Sequence, residues 1–277
     1  MMQKLLIFQS LWAMERRHTD GFEPSLDDNI AAICAAGFDG ISAHYTNRDD
    51  VIRLNKAIRG TGLKIEAVCF PRSIEDLRLP LELAAAFPVS HINLQPDIRP
   101  RRIEDCLPIL DGWMRLAENA GIPVFIETHR DRMTTDLFFT LDLLDRRPDL
   151  PLLADLSHFL VGREFAFPVD EENHAHIRRI LQNAHAFHGR VASREQVQIE
   201  ISFAHHRPWV DLFLQWWDYG FRHWRSRAAD DAELVFTCEL GPKPYAITAR
   251  DGNDSTDRWA EALALRQMVR ELWAAIA

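Results

Sequence analysis

The sequence of 277 residues has few cysteines and no apolar run of membrane length. A membrane-spanning helix needs about 20 consecutive apolar residues, and no stretch approaches that length. The cysteines Cys34, Cys69, Cys106 and Cys238 are widely scattered and form no C-x-x-C pair. This spacing indicates reduced core residues rather than a zinc finger or a redox motif. We therefore expect a soluble, cytoplasmic protein with no membrane partner.

Nucleotide-binding glycine motifs and surplus positive charge are also absent. No G-x-G-x-x-G follows the first apolar run, and no G-x-x-x-x-G-K-[ST] occurs anywhere. The sequence therefore lacks the motifs that would indicate a doubly wound nucleotide-binding sheet. The chain has 32 Lys and Arg against 41 Asp and Glu, a net charge of −9. Because phosphate backbones are bound by clustered basic residues, this charge argues against a nucleic-acid partner.

A secretory signal peptide is not favoured at the start of the chain. The segment 1–14 holds one lysine and an apolar run, but Gln9 and Ser10 interrupt that run. No small-residue cleavage site follows before the charged residues that begin at Glu15. The segment therefore predicts a first buried strand.

Apolar strand-like runs alternate with helix-like segments along the whole chain. The predicted strands are 5–8, 38–43, 63–70, 89–94, 123–126, 151–154, 184–187 and 233–237. The predicted helices are one that Ser25 caps and Gly37 closes, then 48–59, 74–86, 103–120, 134–146, 171–183, 208–226 and 259–276. Eight such units require parallel strands with crossover helices. We predict the α/β class and a single (β/α)8 TIM barrel as one domain over residues 1–277.

Four consecutive predicted strands end in side chains that bind metals. These side chains are Glu127, Asp155, His188 and Glu239. The carboxyl ends of parallel strands meet at one end of such a fold, so we expect the four to lie together. A lone acid at a strand end is more often a helix cap or an ion-pair partner, but four in succession favour metal ligands. Three carboxylates and an imidazole suit one Mn²⁺, Mg²⁺, Co²⁺ or Zn²⁺ ion better than a thiophilic ion.

Further hydrogen-bonding side chains follow the same strands. Substrates rich in hydroxyl groups need neutral and cationic donors of this kind. The candidates for substrate binding are His44, Asn93, Gln95, His129, His158 and Arg190. For His129 and His158, the alternative role is to orient a metal ligand.

Four runs resemble the xylose isomerase-like TIM-barrel superfamily, and more closely its sugar phosphate isomerase/epimerase branch: residues 127–130 (ETHR), 153–158 (LADLSH), 187–191 (FHGRV) and 238–245 (CELGPKPY). The resemblance spans nearly the whole chain. It implies one divalent metal held by Glu127, Asp155, His188 and Glu239. It also implies an isomerase or epimerase of carbohydrate metabolism that acts on a sugar, a sugar phosphate or a keto-polyol through an enediolate. Glu127 and Glu239 would be the catalytic acid/base pair, and His158 and Arg190 would steady substrate oxygens.

Three other functions remain open on this barrel. A metal-dependent dehydratase (lyase) acting on a keto-polyol or a dehydroshikimate-like acid would use the same ligands. An apurinic-site endonuclease would need more metal ligands and a basic groove, which the charge of −9 disfavours. A non-catalytic binding or regulatory barrel would keep the ligands without turnover.

Aromatic residues recur at near-helical spacing in the predicted helix 208–226. Trp209, Trp216 and Trp224 are among them, and such a stripe indicates packing in the core or at a subunit interface. It is the basis for expecting a homodimer or homotetramer. His174 and His176 fall inside a predicted surface helix, and we expect solvent exposure rather than metal binding for both.

Overall fold

The computed structural model describes residues 2–276, and its centre is a closed barrel of eight parallel strands that follow one another in sequence order. The predicted (β/α)8 TIM barrel is thereby confirmed. Met1 and Ala277, the ends of the predicted 1–277 domain, lie outside the described residues. The strands are β1 Lys4–Ser10, β2 Gly40–His44, β3 Lys64–Cys69, β4 His91–Leu94, β5 Val124–Glu127, β6 Leu152–Ala154, β7 Ala184–Gly189 and β8 Glu233–Cys238.

Helices follow the strands and cover the outside of the barrel. They are α1 Leu26–Ala35, α2 Arg48–Ala57, α3 Arg78–Ala86, α4 Ile103–Ala120, α5 Leu137–Arg146, α6 Ser157–Gly162, α7 Glu171–Gln182, α8 Arg207–Arg227 and α9 Arg258–Ala275. Local sequence sets several of their ends. Ser25 and Asp28 form a reciprocal capping box at the start of α1, and Gly121 ends α4 in the left-handed conformation at φ 64°.

Two clusters of apolar side chains hold the fold together. The larger one lies between the strands and the helices, and the smaller one consists of Phe8, Leu153, Ala186 and Val235 from four different strands. These four side chains point away from the helices, so they fill the interior of the barrel rather than leave a pore. The barrel closes where β8 pairs with β1, from Glu233 opposite Lys4 to Cys238 opposite Gln9.

Helix α6 was not predicted from the sequence, which indicated only a strand end there. It begins at Ser157, whose backbone N–H donates to Asp155 Oδ1 at 3.0 Å, and the Ser157 hydroxyl donates to the same oxygen. The N-cap residue is Leu156, which cannot cap the helix with its side chain, and Asp155 instead accepts from the first backbone N–H, which has no partner within the helix. One oxygen of Asp155 is thus bound by the first turn of α6.

The aromatic stripe of α8 belongs to the core. Trp216, Trp217 and Trp224 are buried, and Trp217 packs edge-on against Phe236 of β8 with 5.0 Å between the ring centroids. Trp216 Nε1 donates to His174 Nδ1 at 3.0 Å, so the expectation of a solvent-exposed His174 is wrong. Within residues 2–276, none of the helices combines the length and the apolar character that crossing a bilayer requires.

Candidate metal centre and substrate cavity

The four predicted metal ligands meet at the carboxyl end of the barrel. Glu127 ends β5, Asp155 and Glu239 directly follow β6 and β8, and His188 lies near the end of β7. One ligand atom of each side chain can be chosen so that all four lie within 4.8 Å of one another. The four side chains are almost completely buried. The barrel therefore assembles the group of ligand atoms that the strand ends predicted.

The hydrogen bonds of the carboxylates suit a divalent cation. Glu127 Oε2 accepts from Asn93 Nδ2, and Asp155 Oδ1 accepts from the Ser157 N–H. The other two oxygens, Glu127 Oε1 and Asp155 Oδ2, are buried and have no hydrogen-bond partner among residues 2–276. Leaving such an atom unpaired costs about 1–3 kcal/mol or more. The protein thus orients each carboxylate through one oxygen and leaves the second for a ligand, as metal sites do.

The charges of the group are not balanced by the protein alone. Burial raises the pKa of Glu127 to about 8; the charge of His188 opposes this, and the Glu239 and Asp155 carboxylates add to it. Burial also raises the pKa of Asp155. Burial opposes ionisation of Glu239 as well, but the charges of His188 and Arg190 lower its pKa to about 2. A cation at the group would supply positive charge next to Glu127 and Asp155 and so favour their ionised forms.

A carboxylate inside the barrel was missed by the sequence reasoning. Glu66 of β3 is fully buried, and its Oε1 lies 2.9 Å from His188 Nε2. The other ring nitrogen of His188, Nδ1, lies 3.1 Å from Glu239 Oε2. Glu66 Oε2 contacts His91 Nε2 at 2.8 Å and accepts from the Thr237 hydroxyl at 3.2 Å. A single acid in the middle of an apolar strand was the signal that could have found it, because a buried charge requires partners.

A cavity of about 540 Å³ opens above the candidate metal group. Of the predicted substrate-binding residues, four line it: His44, Gln95, His129 and Arg190. Glu239 also lines it and joins the cavity to the ligand group below.

The other two predicted substrate-binding residues are not among those that line the cavity. Asn93 donates to Glu127, so its place in the structure is that of a residue that holds a candidate ligand. The His158 ring is fully buried, 3.9 Å from the His129 ring between centroids, and neither of its nitrogens has a hydrogen-bond partner in the described part of the chain. Burial lowers the pKa of both imidazoles, that of His129 to about 4, so both are neutral at neutral pH.

One wall of the cavity is aromatic and carries a buried arginine. Trp12 packs edge-on against Tyr245 at 5.3 Å between ring centroids, and the Arg190 guanidinium carbon lies 4.7 Å from the centre of the Tyr245 ring. Arg190 Nε donates to the Glu239 carbonyl oxygen at 3.0 Å, and its Nη2 donates to the Glu239 carboxylate. Burial opposes this charge, but Glu239 and Asp155 raise the pKa of Arg190. The guanidinium thus fixes the position of Glu239 at the cavity floor.

The segment after β8 is held by a close fit around Gly241. Gln198 Nε2 donates to the Gly241 carbonyl oxygen at 3.1 Å, and the Gly241 N–H donates to Gln198 Oε1 at 2.8 Å. A Cβ at position 241 would lie 2.3 Å from Cη2 of Trp12, so a larger residue would force the indole to move. Glycine here lets Trp12 pack directly on the backbone that carries Glu239.

Solved structures with this architecture include one that was determined in complex with magnesium. No protein-family model matches the chain, and no curated protein matches it in sequence. A xylose isomerase-like TIM barrel protein from Mycobacterium smegmatis in complex with magnesium superposes with a TM-score of 0.62 at 14% identity, over 98% of both chains.

Two further structures superpose over similar lengths. A sugar phosphate isomerase/epimerase from Parabacteroides distasonis has a TM-score of 0.62 at 11% identity, over 99% of this chain and 95% of that one. The probable 3-DHS dehydratase AsbF from Bacillus anthracis, involved in petrobactin synthesis, has a TM-score of 0.59 at 16% identity, over 96% and 99%. These likenesses confirm that the chain has the fold of the xylose isomerase-like TIM barrels.

Proposed function

We propose that this protein is a divalent-metal-dependent isomerase or epimerase of a small carbohydrate substrate, a sugar, sugar phosphate or keto-polyol, and that its reaction passes through an enediolate. The observation that carries the proposal is the group of four ligand atoms within 4.8 Å of one another below a cavity large enough for such a substrate. The magnesium complex and the isomerase/epimerase among the similar folds support it.

In this proposal Glu127, Asp155, His188 and Glu239 hold one Mn²⁺, Mg²⁺, Co²⁺ or Zn²⁺ ion. The oxygens without hydrogen bonds, Glu127 Oε1 and Asp155 Oδ2, are available to it. When bound, the cation would polarise a substrate carbonyl and make the neighbouring C–H more acidic.

Glu127 and Glu239 would carry the proton between the two faces of the substrate carbon. They come from β5 and from the end of β8, which are three strands apart in a closed ring of eight. Carboxylates on opposite sides of a carbon can remove a proton from one face and return one to the other. Asn93 and Arg190 keep the two carboxylates in place through their hydrogen bonds to Glu127 Oε2 and to the Glu239 carboxylate.

The main alternative is a dehydratase that acts on a keto-polyol or a dehydroshikimate-like acid. The likeness to the probable dehydratase favours it, and the candidate ligands would serve both reactions. A dehydratase needs a proton donor for the departing hydroxyl group. The two imidazoles of the site, His129 and His158, have lowered pKa values, so at neutral pH neither carries the additional proton that it would donate. Analysis of the product separates the two reactions, because only the lyase releases water.

The first test is the metal content of the purified protein beside that of Glu239→Ala. We expect about one divalent ion per chain in the native protein and a large loss in the variant. Glu15→Ala is the matched control, because Glu15 lines the same cavity but is exposed and outside the ligand group.

A native protein that holds no metal and binds none on titration with Mn²⁺, Co²⁺ or Zn²⁺ would contradict the proposal. If the metal is present, ketoses and keto-polyols are screened for conversion. An isomer as product supports the proposal, a dehydrated product supports the lyase, and metal without turnover supports a binding barrel.

A further inference from the structure

We propose that Arg132 forms an anion subsite in the cavity wall and that the substrate carries a carboxylate which this arginine binds. The inference rests on the proposed function, because it places the acidic end of the substrate in the same cavity. It adds a specificity-determining residue to the site and narrows the substrate class from carbohydrates in general to sugar acids.

One edge of the Arg132 guanidinium, formed by Nε and Nη2, has no hydrogen-bond acceptor within residues 2–276. Its side chain lines the cavity and is 19% exposed. Nη1 donates to the Asp131 carbonyl oxygen at 2.8 Å, and lies 3.5 Å from Asp97 Oδ1. Nε is buried without a hydrogen-bond partner, and Nη2 donates to no atom of residues 2–276. Nε and Nη2 share one edge of the planar guanidinium. The unpaired buried Nε calls for an acceptor, and Nη2 beside it can donate to the same group.

A neighbouring arginine shows what this edge binds. Arg99 donates from Nε to Asp131 Oδ1 and from Nη2 to Asp131 Oδ2, both at 2.8 Å. This is the two-point geometry by which a guanidinium matches a carboxylate. The carboxylate that satisfies Arg99 belongs to the protein. The equivalent edge of Arg132 has no such partner in the described part of the chain, and a substrate carboxylate would supply one.

The loop after β5 holds Arg132 in a fixed position. Asp131 adopts a positive φ of 54°, which is unfavourable for a residue with a side chain. Its N–H donates to the Thr135 hydroxyl at 2.8 Å, and its carboxylate is held by Arg99. The Thr134 hydroxyl donates to the carbonyl oxygen of Glu127. The loop on both sides of Arg132 is therefore held in place: Asp131 is bound to Thr135 and Arg99, and Thr134 is bound to the backbone of Glu127, which ends β5.

A second guanidinium adds positive charge to the same cavity. Arg190 lines it, and Arg190 Nη1 is buried without a hydrogen-bond partner among residues 2–276. The surroundings of Arg132 are otherwise apolar on one side, with its guanidinium carbon 6.0 Å from the centre of the Phe70 ring. In such surroundings a charged hydrogen bond is strong, because little water competes for the donors.

The local charges favour a carboxylate over a phosphate. Arg132 Nη1 already lies 3.5 Å from Asp97 Oδ1 and 3.6 Å from Asp131 Oδ2, and these acids reduce the positive potential around the guanidinium. The free edge offers two N–H groups, which match the two oxygens of a carboxylate. A phosphate brings three acceptor oxygens and nearly two negative charges, for which this edge lacks donors and positive charge.

The test is calorimetric titration with three probes of one carbon skeleton: D-gluconate, neutral D-sorbitol and D-sorbitol 6-phosphate. It is run on the native protein, on Arg132→Gln and on Arg132→Lys, each with Mg²⁺ and after EDTA treatment. Arg53→Gln is the matched control, because Arg53 lines the same cavity but is exposed and paired with Asp50. Thermal unfolding of each variant checks that it is folded, and Arg132→Lys keeps the test intact if Arg132→Gln is not.

We expect the native protein to bind D-gluconate roughly tenfold or more tightly than D-sorbitol, as a charged pair of hydrogen bonds implies. Arg132→Gln should abolish this preference. Arg132→Lys should keep only part of it, because an ammonium group has no planar edge. Arg53→Gln should retain it. Equal affinities for D-gluconate and D-sorbitol in the native protein, or a full preference in Arg132→Gln, overturn the proposal. If D-sorbitol 6-phosphate binds more tightly than D-gluconate, the subsite recognises a phosphate rather than a carboxylate, and the proposed substrate class is wrong.

The two proposals fail separately in this design. A preference for D-gluconate that survives EDTA treatment in a protein without a metal site contradicts the proposed function alone. A protein that binds its metal and converts a neutral sugar, but shows no preference for the acid, contradicts the anion subsite alone.

Discussion

The imidazole of His188 lies between two carboxylates, and this arrangement decides which of its nitrogens faces the candidate metal. Glu66 Oε1 is 2.9 Å from Nε2, while Nδ1 lies 3.1 Å from Glu239 Oε2 and 3.8 Å from Glu127 Oε1. Burial opposes ionisation of Glu66, but the charge of His188 lowers the pKa of this carboxyl well below its ordinary value. A carboxylate that accepts the Nε2 proton leaves the Nδ1 lone pair for a cation.

Removal of this carboxylate should weaken metal binding without touching a ligand. For Glu66→Leu we expect the affinity for Mn²⁺ or Zn²⁺ to fall roughly 10- to 100-fold, and for Glu66→Gln less, because its amide oxygen still accepts a hydrogen bond. Competition with a chelating dye measures both. Thr237→Val, which removes only a hydroxyl from the far oxygen of Glu66, is the control and should stay near the native affinity. An unchanged metal affinity in Glu66→Leu would show that Glu66 has only a structural role in the barrel interior and does not orient His188 for metal binding.

Helix α9 packs a glutamate against the long segment that follows β7. Glu261 is almost fully buried beside Glu200, and its Oε1 has no hydrogen-bond partner in residues 2–276. Burial, together with the Glu200 carboxylate, raises the pKa of Glu261 to about 10. The positive charge of Arg258 acts in the opposite direction but is outweighed. This contact joins α9 to the segment that carries Gln198, and so to the backbone beside Glu239.

The raised pKa predicts how stability depends on pH. The unfolded chain releases this proton near its ordinary pKa of 4.5, and the folded chain holds it up to about 10. The stabilisation from the neutral carboxyl is therefore complete below 4.5 and is lost as the pH rises towards 10, by at most about 1.4 kcal/mol per pH unit. Glu261→Gln stays neutral, so its free energy of unfolding should exceed that of the native protein at pH 8.5 and approach it at pH 5.

Urea denaturation at these two pH values measures the difference. Glu271→Gln is the control on the same helix, because Glu271 is exposed and solvent screens its charge. If the native protein and Glu261→Gln differ by the same free energy at both pH values, the carboxyl of Glu261 does not hold its proton in the folded state.

For the whole molecule, the candidate metal group is a place where binding and folding are coupled. Its ligands come from four separate strands, so the unfolded chain does not assemble them. A cation that binds only the folded protein, at a concentration a hundred times its Kd, adds about 2.7 kcal/mol to the free energy of unfolding. For a chain of this size that corresponds to a rise in Tm of roughly 5 °C.

We therefore expect EDTA to lower the Tm of the native protein by about that amount, and Mn²⁺ to restore it. Differential scanning calorimetry gives both values. Glu239→Ala, which lacks one ligand, should respond little to either reagent. The same shift in the variant would mean that the cation binds elsewhere on the surface.

The oligomeric state stays a prediction. Its basis in the sequence was the aromatic stripe of α8, and the structure uses Trp216, Trp217 and Trp224 inside the barrel's own core. Sedimentation of the purified protein at micromolar concentration decides between a monomer and the expected dimer or tetramer.

The sequence by itself determined the barrel and the four candidate ligands, because both follow from local patterns. Alternating apolar runs and amphipathic helices require parallel strands, and parallel strands bring their carboxyl ends together. Glu127, Asp155, His188 and Glu239 could therefore be named from their places after four runs.

Only the tertiary structure decided the partners of those residues. Glu66 and His188 are 122 residues apart, and no local pattern pairs them. Asn93, named from the sequence as a candidate for substrate binding, donates a hydrogen bond to Glu127. A shift of register between β6 and β7 puts Leu152 beside Ala184 but Leu153 beside Ala186, and His185 lies against Phe125. The Nε and Nη2 edge of Arg132 is free because the neighbouring acceptors, the Asp131 carbonyl oxygen and Asp97, lie beside Nη1. Such contacts arise from the packing of distant segments, which fixes individual atoms, whereas the pattern of a sequence fixes only the elements that carry them.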